Sequence, residues 1–322
     1  WRDIFQNWES LARSFPGWLP AMVRVFLNAS TADGYNPYRI TRKGIDWEAE
    51  DPHDPWSHIG YWGDHQIIYL LRLLEGLEDF RPGELAKQLP AKSFVYACVP
   101  YEIAEFDRLV ENPRKTITFN HALHRELIAA EQRIGGDARL LKGPDGRPAT
   151  VCLAEKLLVP LLAKLSNFVP GGGIWLNTQR PEWNDANNAL AGWGLSVVTV
   201  GYLRRYLAFL ERVLAAAAAD TVPLSASVAT MLRDMARALH ETGSDSIRDA
   251  RQRFAALERF GRIGEQHRRT VYQRAEEPAT AVPVAELRGL IAAALAAVDA
   301  TLQANRRGDG LFHGYNVLHI KG

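Results

Sequence analysis

"RPEWNDANNALAGWGLSVVTVGYLRRYLAFLERVL", residues 180–214, sets a dense polar cluster ahead of a long apolar run. From Asn184 onward the run reads as one helix, with apolar residues returning at helical spacing through Leu214. Helix capping needs one residue such as Asn184 or Asp185, whose side chain accepts from the free N–H groups of the first turn. Arg180, Glu182, Trp183, Asn187 and Asn188 exceed that need. Two carboxylates, a flat indole and several amides at a helix start describe a surface that grips a polar ligand.

The same helical spacing recurs outward from this stretch. It runs through "IFQNWESLARSF", "LPAMVRVFLNA", "HQIIYLLRLLEGL", "FNHALHRELIAAEQRI" and "LAEKLLVPLLAKLSNF" on one side, and through "SVATMLRDMARALHE", "SIRDARQRFAALERFGRIGEQHRR" and "VAELRGLIAAALAAVDATLQANR" on the other. Only "KSFVYACVPY" and "PATVCL" have strand character, and "KGPDGRPA" is a turn. The chain reads as mainly α. Some loops are short and charge-rich; three are long and mix glycine, aromatic and polar residues, at 28–65, 169–185 and 308–319. Long loops on a helical scaffold are where binding resides. The alternation of helix, rich loop, helix, short loop is what stacked helical hairpins give. Residues 1–322 are expected to form a single domain, with a peripheral, charge-patterned helical hairpin over 220–280.

Composition narrows the function classes. The 322 residues carry 38 Lys plus Arg against 37 Asp plus Glu, with no basic run interleaved with aromatics, so nucleic acid is excluded as the expected partner. Arg204 and Arg205 interrupt the longest apolar run, which therefore reads as a buried helix of a soluble protein and not a membrane span. Two cysteines, Cys98 and Cys152, supply neither a disulfide framework nor metal-ligand spacing. His121 and His124 share a helix face near Glu126 without a further ligand, so no metal and no cofactor is expected. The chain opens on Trp1 in helical pattern and stops at "VLHIKG", which reads as a piece of a longer, cytoplasmic polypeptide with flanking segments.

A second cluster matches the first. "GYWGDHQIIYLL" presents Tyr61, Trp62, Asp64, His65 and Gln66 at a helix start, as "EWNDAN" presents Trp183 and Asp185. Indole faces stack on sugar rings, while carboxylates and amides bind hydroxyls in pairs, so the two helix starts suit one saccharide. In the loop at 28–65, Tyr35, Asn36 and Arg39 join them, and Trp47 sits near the acids Asp46 and Glu48. In the last rich loop His313 and Tyr315 flank Gly314 as further candidates for hydrogen bonding to substrate.

These two motifs resemble segments of the cellobiose and chitobiose phosphorylase family, where a Trp-Asn-Asp triplet opens a barrel helix and an earlier glycine, aromatic, aspartate, glutamine segment lines the sugar site. The resemblance spans roughly residues 28–215 and implies the (α/α)6 toroid of six-hairpin glycosidases and phosphorylases, here an incomplete barrel if the chain is a fragment. It implies that Asp185 is the general acid on the glycosidic oxygen and that Asp64 binds the sugar at the cleavage point. The family's arginine before the first aspartate is replaced by Gly63, and its phosphate-binding pieces are not recognisable.

Inverting hydrolysis needs a proton donor and a base about 6.5–9.5 Å away. Glu182 stands three positions from Asp185, too near to divide the labour, so Asp46 and Glu48 are the candidate bases. The expected activity is cleavage of a glucan or oligosaccharide with inversion, by water in preference to phosphate. Inorganic phosphate would be the co-substrate of a phosphorylase. From a different class, a helical module that binds saccharide or protein without catalysis fits the same loops.

Overall fold

The computed structural model describes residues 2–36, 39–42, 44–51, 53, 59–61, 65–178, 190–275 and 277–320, apart from the side chains of residues 2, 3, 65, 244 and 245. Among them are eleven α-helices and twelve short strands, so the mainly α expectation holds. The helices are α1 (Arg2–Ser14), α2 (Leu19–Asn28), α3 (His65–Phe80), α4 (Glu84–Gln88), α5 (Phe106–Glu111), α6 (His121–Ile134), α7 (Leu153–Leu165), α8 (Val197–Ala215), α9 (Ala226–Glu241), α10 (Ala250–Val271) and α11 (Val284–Ala304). The described elements trace no closed ring. None of the described helices is long and apolar enough to cross a membrane.

Helix α7 organises the rest. All thirteen of its residues are buried, polar ones included, because other elements cover it on every side: α3, α9, α10 and the short strands at its start pack against it. Leu157, Leu161 and Leu165 of α7 share the main core with Leu70 of α3, Leu203 of α8, Met235 of α9, Phe260 of α10 and Ile291 of α11. Each such side chain contributes about 1.5–3 kcal/mol through removal from water. The hairpin of α9 and α10 is thus fixed to the centre of the molecule through Met235 and Phe260. A second core, built on Trp47, Tyr101, Phe119, Leu123 and Trp175, lies under the rich loops.

Loop 28–36 runs along α7. Lys156 Nζ donates to Ser30 O, 3.2 Å, near the start of the helix, and Asn167 just past its end donates to the Tyr35 hydroxyl, 2.8 Å. Between these points Gly34, at φ +92°, lies so close that a Cβ would stand 2.6 Å from Ala163 Cβ. Only glycine accepts both the left-handed backbone and the contact.

The long helix starts later than its periodicity predicts. Residues 191–193 form a turn and Gly194–Ser196 a strand, so α8 begins at Val197, where Ser196 Oγ accepts from Thr199 N at 3.0 Å. Hydrogen bonding across the chain overrides the apolar period: Gly192 N donates to Leu176 O, 2.7 Å, and Gly192 O accepts from Trp175 Nε1, 2.8 Å. The strand at Gly194–Ser196 belongs to an antiparallel sheet whose order is Tyr315–Val317, Gly194–Ser196, Gly173–Trp175, Phe168–Val169. This sheet joins the rich loops at 169–185 and 308–319. Gly173 serves the sheet: a Cβ there would lie 2.9 Å from the Leu195 carbonyl carbon. The close approach that glycine permits at this position is to the neighbouring strand.

Candidate functional site

The two aspartate-bearing loops leave from paired residues. Tyr61 N donates to Thr178 O at 3.2 Å, and Thr178 Oγ1 returns a bond to Tyr61 O at 2.9 Å. Residues 62–64 follow the first and 179–189 the second, and both lie outside the described residues. That group holds Trp62, Asp64, Arg180, Glu182, Trp183, Asn184, Asp185 and Asn187; of His65, only the backbone at the start of α3 is described.

Aromatic rings support the pairing from beneath. Tyr35 stacks on Tyr61 with centroids 5.1 Å apart and planes 14° apart, and Tyr101 meets Tyr61 edge-on at 5.4 Å. The Tyr35 hydroxyl accepts from Asn167 Nδ2, and Asn167 Oδ1 accepts from Asn177 Nδ2 at 2.8 Å, which ties the stack to the end of α7 and to the second rich loop. Lys164 Nζ lies 5.2 Å from the Tyr35 ring centroid. Burial pushes the Tyr35 phenol up to about 12, and burial likewise raises that of Tyr61. Both rings stay neutral and rigid at physiological pH.

Asn36 and Gln66 are 2% and 3% exposed, yet among the described residues neither amide has a hydrogen-bond partner on its nitrogen or its oxygen. A buried amide left unsatisfied costs roughly 1–3 kcal/mol per group. Native structures rarely tolerate this without reason, and a bound polar molecule is one such reason.

Asp33 carries no sequence motif and escaped the sequence reading. It accepts from Thr31 Oγ1 and from the Tyr272 hydroxyl, the latter at 2.7 Å. Burial raises its pKa against those two hydrogen bonds and the nearby Arg268 and His267. A cavity of about 30 Å³, room for roughly one water, lies between Thr31, Asp33, Tyr61, Tyr101 and Tyr272. The signal for Asp33 is depth, which only the fold reveals.

Other expected residues have different settings. Asp46 is gripped by Arg39 Nε at 2.6 Å and Arg139 at 2.8 Å. Burial raises its pKa, but those two hydrogen bonds outweigh burial and hold the carboxyl below its ordinary value. Arg39 is thereby an ion-pair partner. Trp47 is buried, donates from Nε1 to His124 Nδ1 at 3.0 Å and lies under the Arg139 guanidinium at 4.7 Å, so its ring packs inside the second core. Glu48 is tethered by its backbone, whose N–H donates to the Tyr101 hydroxyl at 3.0 Å while its carbonyl accepts from that hydroxyl. His313 is exposed, with its backbone N–H bonded to Asn305 O at 3.1 Å, and Tyr315 is half-buried opposite Ser196 in the sheet. Of the sequence candidates, the structure gathers Tyr35 and Tyr61 through their stack, with Asn36 next in the chain and Gln66 five residues on. No protein-family model matches the chain, and neither does any curated protein.

Proposed function

We propose that the chain is a carbohydrate-active domain of (α/α)6 type that cleaves glycosidic bonds in a glucan or oligosaccharide by single displacement with inversion. The observation that carries the reading is the reciprocal bond between Tyr61 and Thr178, because it ties together the roots of the segments bearing Asp64 and Asp185. The amides of Asn36 and Gln66, which have no hydrogen-bond partner among the described residues, support it, since sugar hydroxyls satisfy amides. Asp185 gives its proton to the glycosidic oxygen while water, relieved of a proton by a carboxylate, attacks the anomeric carbon from the opposite face. The leaving sugar departs with the donated proton. The attacking oxygen becomes the anomeric hydroxyl.

One observation favours phosphorolysis as a second reading. The ion pairs to Arg39 and Arg139 make Asp46 a weak base for activating water. Phosphate needs no such base.

The test is turnover of β-gluco-oligosaccharides with and without inorganic phosphate. Free reducing sugar released at a rate independent of phosphate is expected, and Asp185→Asn should lower it about 10²–10⁴-fold because an amide cannot give up a proton. Sugar 1-phosphate formed only with phosphate present would select the second reading. Saccharide binding without turnover in either condition would make the domain a binding module.

A further inference from the structure

Helices α1 and α2 are joined by a 3₁₀ turn, Pro16–Trp18, in which no residue is buried. Large apolar side chains face water around it: Trp18 is 66% exposed and Phe15 59%, and Leu11 and Phe80 are exposed as well. The four are neighbours. Phe15 N donates to Leu11 O at 2.8 Å, one helical turn back, and Trp18 N donates to Phe15 O at 3.1 Å. Phe80 joins them from α3, because a Cβ on Gly76, one turn before it, would stand 3.5 Å from Leu19, the residue after Trp18. Together they leave on the order of 400 Å² of apolar surface in water, the size at which a patch marks an interaction site and about half of the roughly 800 Å² that each partner buries in a standard interface.

Beside the patch a pocket of about 360 Å³ opens between α2, the end of α3 and α4. Val23, Leu77, Leu85, Phe94 and Leu153 form an apolar floor, while Glu84 and Gln88, both half-buried, stand at the mouth. No lining residue is shared with the tyrosine stack or with the cavity at Asp33. The walls are set in advance: Arg24 lies over the Phe94 ring at 4.8 Å and donates to Ser93 O at 2.7 Å, and Gln88 Nε2 donates to Glu84 Oε1 at 2.8 Å. A preformed wall spares an occupant the cost of ordering it.

Trp18 has helical backbone, φ −85° and ψ −13°, and Ala21, exposed on the pocket's edge, follows three residues later, so the two share a face of α2. Phe80 likewise lies three residues past Leu77 of the pocket floor. One face of the molecule thus carries a projecting indole and, about a helical turn away, an apolar hole.

A knob and a hole on one surface fit a second copy of that surface, since a two-fold axis sends each knob into the other copy's hole. The rim agrees. Arg13, Asp79, Arg81 and Glu84 surround the face, two of each sign, so it meets a copy of itself without net repulsion and lacks the cationic excess that draws a protein to anionic lipid. We propose that this face is a self-association surface, forming a two-fold dimer in which Trp18 of each protomer enters the pocket of the other. The Glu84 carboxylate at the mouth accepts from the entering indole N–H. The inference does not rest on the activity proposed above.

The experiment is sedimentation equilibrium of the full chain from about 1 to 100 µM, with two substitutions at exposed positions whose thermal melts are matched to the parent's. Trp18→Ala removes the knob, and Ala21→Arg blocks the hole. A concentration-dependent dimer is expected, with its Kd raised about 30-fold or more by either substitution. Mixing the variants is the decisive arm. Trp18→Ala keeps its hole and Ala21→Arg keeps its knob, so a mixed pair regains one of the two contacts, and the equimolar mixture should associate about tenfold or more tighter than either variant alone. A parent that stays monomeric over that range, including one that instead sediments with phosphatidylcholine vesicles, would overturn the surface. So would a dimer that either folded variant leaves intact, or a mixture no tighter than its components.

Discussion

At the first turn of α7, Glu155 is 1% exposed and its two oxygens accept from the Tyr96 hydroxyl at 3.0 Å, Ser225 N at 2.6 Å and Ser225 Oγ at 2.9 Å. Near the other end of the helix and at the start of α3, Asn36 and Gln66 are buried to a similar depth with every amide atom unmatched among the described residues. The two regions spend buried polarity differently. A matched group raises the cost of unfolding, whereas an unmatched one lowers stability and keeps its hydrogen-bonding capacity for something that arrives later.

The contrast depends on loop 28–36 lying hard against α7, and the largest effect tests that. Gly34→Ala puts a methyl group 2.6 Å from Ala163 Cβ and 2.7 Å from Val159 O at φ +92°. It should cost roughly 3 kcal/mol or more in urea unfolding, from backbone strain and overpacking together. A midpoint like the parent's would detach the loop from the helix and remove the geometric basis of the comparison.

Next in size is the satisfied end. Glu155→Ala strands the Tyr96 hydroxyl and both Ser225 donors inside the core and takes a carboxylate from beside the buried Lys156. A loss of roughly 2–4 kcal/mol is expected by chemical denaturation. A loss under about 1 kcal/mol would show that matching does not stabilise this end.

His267 is the exception at the satisfied end, and pH exposes it. Burial lowers its pKa from 6.5, outweighing the Ala32 carbonyl and the charges of Glu277 and Asp33, with Arg268 reinforcing the shift. Above pH 6.5 the imidazole is neutral in folded and unfolded chains alike. As pH falls below 6.5, the unfolded chain takes up a proton that the folded chain refuses, so stability declines until the folded pKa is reached. The decline from this group is at most about 1.4 kcal/mol per pH unit. His267→Gln should flatten the stability profile between pH 6.5 and 5, and parallel profiles would mean that the buried ring titrates as in water.

Legibility followed periodicity. The helices were readable because α1 to α3 and α8 to α11 carry apolar residues at helical spacing over many turns. Strands of two to five residues are too short to show alternation, and most escaped. The stretch from Ala191 to Ser196 misled because its apolar residues fit a helix while Gly192 is held by Leu176 and Trp175, far away in sequence. Tyr35, Asn36, Tyr61 and Gln66 could be singled out by composition, since aromatics and amides crowd the rich loops. Asp33 and His267 could not: one is an ordinary loop acid, and the other sits in a helix whose charges suggest exposure. Their importance comes from burial, which long-range packing sets.

The smallest stability effect is the sharpest test of the contrast, because its sign is reversed. Gln66→Leu replaces an amide by an apolar group of similar volume at a site 3% exposed, where nitrogen and oxygen lack partners among the described residues. Removing an unsatisfied amide relieves its desolvation cost, and the leucine gains contact with the same neighbours, so stability should stay level or rise by about 1 kcal/mol. If the amide is kept for a saccharide, the same substitution should weaken sugar binding or turnover about tenfold or more, since the ligand hydroxyl then meets a methyl group. Asn36→Ala, at a smaller residue, should show the same divergence with a smaller gain in stability. The two readouts must part company. Were Gln66→Leu to destabilise the fold by 2 kcal/mol or so, the amide would have partners in solution that make it structural, and the two ends of the molecule would differ in location only.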